Sequence, residues 1–169
     1  MANPERHYDP PSQGGDLAYG AFYSAGLGGA VVGLMFLVLD AANGQSLFTP
    51  SLLGAVLFYG ASAETYAEIN INAVALFSMV HIVGFGALGA FGSAVYQTLF
   101  ARGKSAMIPT GIAILVASEA LFLLASASVM PGVAERIGHS LVLIANALAA
   151  ATMAGFLHWA YRQKPNPAG

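Results

Sequence analysis

The apolar positions of this chain fall into four long runs, parted by short stretches rich in Pro, Gly, Asn and charge. Leu17 to Leu39 is the first run, closed by Asp40 and the turn-forming pair Asn43-Gly44. Asn72 to Phe100 is the second, Ala106 to Met130 the third and Arg136 to Tyr161 the fourth. Each exceeds the ~20 apolar residues that carry an α-helix across a ~30 Å hydrocarbon core at about 1.5 Å per residue. The pattern predicts an all-α integral membrane protein: one four-helix domain over residues 17–162 between polar tails at 1–16 and 163–169.

A fifth run is too short to cross. Thr49 is placed to cap a helix whose first residue is Pro50, because proline lacks only an N–H that would be unpaired there. Pro50 to Gly60 would measure about 16 Å, so the spacing predicts an interfacial or partly re-entrant helix between the first two spans. Glu64 and Glu68 follow at i, i+4, where like charges repel slightly. Their expected place is a solvated face, with a cation site as the alternative.

Composition narrows the class. Charged residues make up 8% and hydrophobic residues 57%, against about 25% charged in ordinary soluble domains. A net charge of -2 and the lack of a basic stripe argue against nucleic acid as a partner. With no cysteine, thiolate metal sites, iron–sulfur clusters and cysteine nucleophiles are excluded. The opening MANPERHYDPPSQGGD lacks the basic-then-apolar order of a signal peptide. Five of the six Lys and Arg residues (Arg6, Arg102, Lys104, Arg162 and Lys164) fall on the side shared by both tails, and only Arg136 on the other. The positive-inside rule then places both termini in the cytoplasm; the expected location, a multi-pass protein of a bacterial inner (cytoplasmic) membrane, rests on the resemblance given below.

Small residues recur at helical spacing. Ala25, Gly29 and Gly33 mark one stripe on the first span, and Ala147, Ala151 and Gly155 another on the fourth. On the second span, His81, Phe85, Leu88, Gly89 and Gly92 share a side. Such stripes let helix backbones approach, so Gly29, Gly33, Gly89, Gly92 and Gly155 are expected at helix–helix contacts, within this chain or with another subunit.

Polar residues within the spans are the candidates for chemistry. Glu119 is the only carboxylate deep inside a span. Measured from a common side, His81, Glu119 and Asn146 lie about 13–17 Å deep, while His139 shares a helix face with Asn146. Ionisable groups at such depth usually face the interior and find partners. The expected arrangement is a His81–Glu119 pair with Asn146 near it and His139 toward the same side. Three roles stay open: a hydrogen-bonded plug, a proton or ion relay, and a metal or haem site at His81 and His139, whose depths differ by about 6–9 Å. No cofactor is predicted by default. His158, with Trp159, Tyr161 and Arg162 beside it, is expected to snorkel at the opposite interface, and His7 lies in a tail without a role. The GFGALGAFG run at Gly84–Gly92 has no strand before it and lies within a span, so it is not a dinucleotide loop.

Asp40-x3-Gly44-x2-LFTPSLLG, His81-x3-Phe85-x3-Gly89 and Asn146-Ala-Leu-Ala together resemble a set of small uncharacterised bacterial four-span membrane proteins. The resemblance covers about residues 17–162 and departs at Gln45-Ser46, where the pattern has a residue followed by Pro. It implies a four-helix membrane protein and carries no activity. The expected role is a non-catalytic accessory or assembly subunit of a larger membrane complex, of the respiratory or photosynthetic kind. The alternative is a cofactor-binding redox or proton-relay protein working through His81 and Glu119.

Overall fold

The computed structural model describes residues 13–101 and 105–162. The Arg102–Lys104 turn and both charged tails, with Arg6, His7 and Lys164, lie outside the described residues. Six helices follow in order: α1 (Gln13–Ala42), α2 (Phe48–Tyr59), α3 (Ile71–Phe100), α4 (Met107–Ser128), α5 (Val133–Ile137) and α6 (His139–Arg162). Four of them, α1, α3, α4 and α6, are long and apolar enough to cross a membrane. The protein is therefore all-α, with the architecture of a multi-pass membrane protein. Large side chains such as Phe22, Ile82, Val83 and Ile108 stand exposed on the outer faces, as lipid contact requires and water would penalise.

The element boundaries differ from the sequence expectation in several places. Helix α1 starts at Gln13, so the last four residues assigned to the tail are helical. The fourth span begins at His139, not Arg136: Gly138 (φ 92) breaks the backbone and leaves Val133–Ile137 as a separate turn of helix. Residues 60–70 are not helical, so Glu64 and Glu68 do not face each other across a helical turn. Both are exposed.

Helix α2 starts two residues early, and its cap is not Thr49. Leu47 is the N-cap, held at φ 71, a left-handed conformation costing roughly 1–2 kcal/mol for a residue with a Cβ. The compensation comes from the end of α1. Asp40 accepts the Thr49 N–H at Oδ2 and the Thr49 hydroxyl at Oδ1, both at 2.7 Å. A buried carboxylate thus satisfies an orphan amide at the positive end of α2.

Twelve residues long, α2 reaches about 18 Å and does not match a membrane span. It is more buried than a surface helix: Ser51 to Val56 are all covered. Gly54 allows this, since a Cβ there would stand 2.0 Å from the Ala73 carbonyl oxygen of α3. Leu52, Leu53 and Val56 pack with Met130 and Val133 from the α4–α5 turn. Ser51 Oγ accepts the Asn70 N–H at 2.7 Å and bonds the Tyr66 hydroxyl at 2.7 Å. Asn70 in turn caps α3, its Oδ1 accepting the N–H groups of Asn72 and Ala73. α2 and the loop after it therefore form a lid over one end of the bundle.

The long helices alternate in direction, so the start of α1 meets the ends of α3 and α6. Helix α1 packs on α3 and α6, and α4 on α6. Leu88, Ile114, Ala150 and Met153 fill the middle; Tyr96, Ala106 and Leu157 close the end opposite the lid.

Candidate functional site

The inward stripe of α1 is Gly20, Ser24 and Gly28, all buried. A Cβ at Gly20 would meet Ser93 Oγ at 2.7 Å, and one at Gly28 would meet Met153 Sδ at 2.5 Å. The stripe expected from sequence runs alongside and behaves differently down its length. A Cβ at Gly29 would lie 3.4–3.5 Å from Phe85 and His81, and Ala25 backs onto Gly89. At Gly33 a Cβ would have nothing within 4 Å. On α6 the packed row is Asn146, Ala150 and Ala154, whereas Ala147 and Ala151 are exposed and Gly155 faces open space. So Gly29, Gly89 and Gly92 sit at helix contacts, the last two against Ala21 and Ile114, while a Cβ at Gly33 or Gly155 would meet no other helix of this chain. Adjacent residues are about 100° apart on a helix, and α1 and α6 each carry small residues on two adjoining stripes. Only tertiary packing selects between them.

The polar candidates divide into two groups. His81 and Glu119 share no hydrogen bond. His81 Nε2 lies 3.0 Å from the Gly29 carbonyl oxygen of α1, and its ring packs on Phe85 with centroids 4.7 Å apart. A carbonyl only accepts, so Nε2 carries a proton, and in the neutral imidazole Nδ1 is then an acceptor. Glu119 instead joins the other two candidates. Its Oε1 accepts Asn146 Nδ2–H at 2.8 Å and its Oε2 faces His139 Nε2 at 3.3 Å. The carboxylate side chain is 14% exposed and the imidazole 51%. His139, stacked on Phe122, thus connects Glu119 to the outer surface, and the chain ends inward at the Asn146 amide. Among the described residues, no three His, Asp or Glu side chains gather as a metal-ligand set.

A second polar cluster, at the closed end, was not anticipated. His158 Nδ1 lies 2.9 Å from the Tyr96 hydroxyl, so it is tied into the bundle and does not snorkel. Gln97 Nε2 donates to the Tyr161 hydroxyl, and Ser93 Oγ donates to the Leu17 carbonyl at 3.3 Å. The same depth comparison that grouped Glu119 with Asn146 would have found it, because Tyr96 and His158 lie a similar distance from the ends of α3 and α6.

Between these groups a pocket of about 450 Å³ opens among α1, α2, α3, α4 and α6. His81 and Asn146 both line it, from opposite sides, together with Ser78, Ser118 and Thr49. Leu37, Ile82 and Leu121 also border it and are exposed, so the pocket reaches the apolar outer face. A second groove, of about 620 Å³, runs between α1 and α3 over Gly26, Gly29 and Ala30. Comparison of the chain with protein-family models, with curated proteins and with solved structures found no match.

Proposed function

We propose that the protein is a non-catalytic accessory or assembly subunit of a larger complex in the bacterial inner membrane, with both termini cytoplasmic. One observation carries this reading. Two helices present small-residue faces that their own bundle leaves uncovered: Gly26, Ala30 and Gly33 on α1, and Ala147, Ala151 and Gly155 on α6. In lipid, where apolar surface alone does not drive association, such faces favour another helix because they allow close backbone contact. The α1 face also floors a groove walled by Phe22 and Ile82, a shape that accepts a helix ridge. The sparse charge and the short connections between spans agree with a role inside an assembly.

The test is the size of the particle extracted from native membranes in mild detergent. The expected result is an assembly larger than the 17.3 kDa chain, which Gly26→Leu and Gly155→Leu convert to the free chain without lowering its melting temperature. A particle of unchanged size in both variants, or a free chain from the start, would contradict the proposal.

A further inference from the structure

The pocket beside His81 has a hydrogen-bonding character that defines its ligand. Among the described residues, none that lines it is Asp, Glu, Lys or Arg, so a charged headgroup would enter it without a counter-charge from them, at high desolvation cost. The polar side chains have mostly spent their hydrogens inside the protein. His81 donates to Gly29 O, Thr49 to Asp40, Ser78 to Val74 O and Ser118 to Leu115 O. Asn146 has committed one N–H to Glu119. What remains is a set of acceptors, namely His81 Nδ1, Asn146 Oδ1 and three hydroxyl oxygens, against a single amide N–H. An apolar pocket of this size with a few polar groups has the dimensions of a small-molecule site, and its exposed border at Leu37, Ile82 and Leu121 gives entry from the lipid side.

We infer that this pocket binds the hydroxyl end of an otherwise apolar membrane molecule, the ligand O–H donating to His81 Nδ1 or Asn146 Oδ1. A hydroxylated ring and an aliphatic alcohol share that chemistry. A carbonyl-only head such as a quinone, or an ether, offers no donor. The ligand therefore needs a hydrogen to give, and its tail lies along Phe77, Phe85 and Leu88. Gly33 and Ile82 belong both to this pocket and to the proposed subunit face, but Gly26 and Gly155, whose variants test the subunit reading, do not line the pocket, so the two readings can fail separately.

The test uses the full chain in detergent with four probes: decylhydroquinone, kept reduced under an inert atmosphere, its dimethyl ether, the corresponding quinone measured without reductant, and 1-dodecanol. Equilibrium dialysis should show decylhydroquinone bound about tenfold more tightly than the ether or the quinone, as one hydrogen bond in an apolar site implies. Dodecanol binding as well as the hydroquinone would assign the site to apolar alcohols in general; weaker binding would assign it to hydroxylated rings. Gly33→Phe and Gly84→Phe, at pocket-lining positions where an added Cβ meets nothing within 4 Å, should fill the pocket from two walls. Each should abolish binding while keeping the unliganded melting temperature. Either His81→Phe or Asn146→Leu should erase the preference for hydroxyl over ether, which identifies the acceptor; a preference kept in both would overturn the inference. Equal affinity for hydroquinone and ether, no binding of any probe, or undiminished binding to both pocket-filling variants would overturn the inference.

Discussion

Two adjoining faces of α1 hold much the same residue types and do different things. Gly20, Ser24 and Gly28 are buried against α3 and α6, while Gly26, Ala30 and Gly33 lie open. The difference is one of rotation, not composition. On the inward face a Cβ would stand 2.5–2.7 Å from side-chain atoms of Ser93 or Met153, which would have to shift, so packing favours glycine there. On the outward face it is dispensable to the chain itself, and its presence there needs a reason outside the bundle. α6 repeats the contrast, with Asn146, Ala150 and Ala154 covered and Ala147, Ala151 and Gly155 largely uncovered.

The strongest way to break that comparison is a pair of Gly→Ala changes. At Gly89 the new methyl would stand 2.4 Å from the Ala21 carbonyl oxygen, a backbone atom that cannot step aside. Gly89→Ala should cost about 1–3 kcal/mol of stability. Gly33→Ala should cost nothing and gain up to about 1 kcal/mol from helix propensity. Thermal or denaturant unfolding in one detergent reads both, and equal effects would dissolve the distinction between faces.

The lid end offers a second probe. Asp40→Ala leaves the Thr49 amide and hydroxyl without their carboxylate in a buried place, and also leaves the strained Leu47 uncompensated. A loss of about 1–3 kcal/mol is expected, and the variant should show faster amide exchange at the start of α2. An unchanged exchange pattern would mean that Asp40 does not hold the lid.

The third is smaller and separates the two polar groups. In double-mutant cycles on unfolding, Glu119→Leu with Asn146→Leu should show a coupling of about 0.5–3 kcal/mol, because the two share a 2.8 Å hydrogen bond. Glu119→Leu with His81→Leu should be additive within about 0.5 kcal/mol. The reverse ordering would restore the pairing expected from depth alone.

That expectation shows what a sequence can carry. The four spans, the short fifth helix and the depth of Glu119 and Asn146 were all legible, because apolar run length and rise per residue set them. The partner of His81 was not. It is a backbone carbonyl, at Gly29, and every residue supplies one, so no side-chain pattern marks it. Nor was the cap of α2 legible, since Asp40 reaches Thr49 only through a turn in which Leu47 takes a left-handed conformation. The Asn43-Gly44 signal predicted a turn but not its path. The period of four that Gly33 and Gly155 share with their neighbours identifies a face and leaves open what covers it. Gly138 lay inside an apolar run, where one glycine is tolerated by many helices, and here it ends one helix and begins another.

The whole account rests on four crossings with α2 as a lid, and the natural lack of cysteine makes this directly measurable. Single cysteines at Ser12, Gln45 and Ser62 would be exposed to a membrane-impermeant thiol reagent in intact cells stripped of their outer barrier. The account predicts labelling at 45 and 62 and none at 12 until the membrane is opened. Labelling at 12 with none at 62 would invert the topology, and opposite results at 45 and 62 would make α2 a crossing and contradict the account at its base.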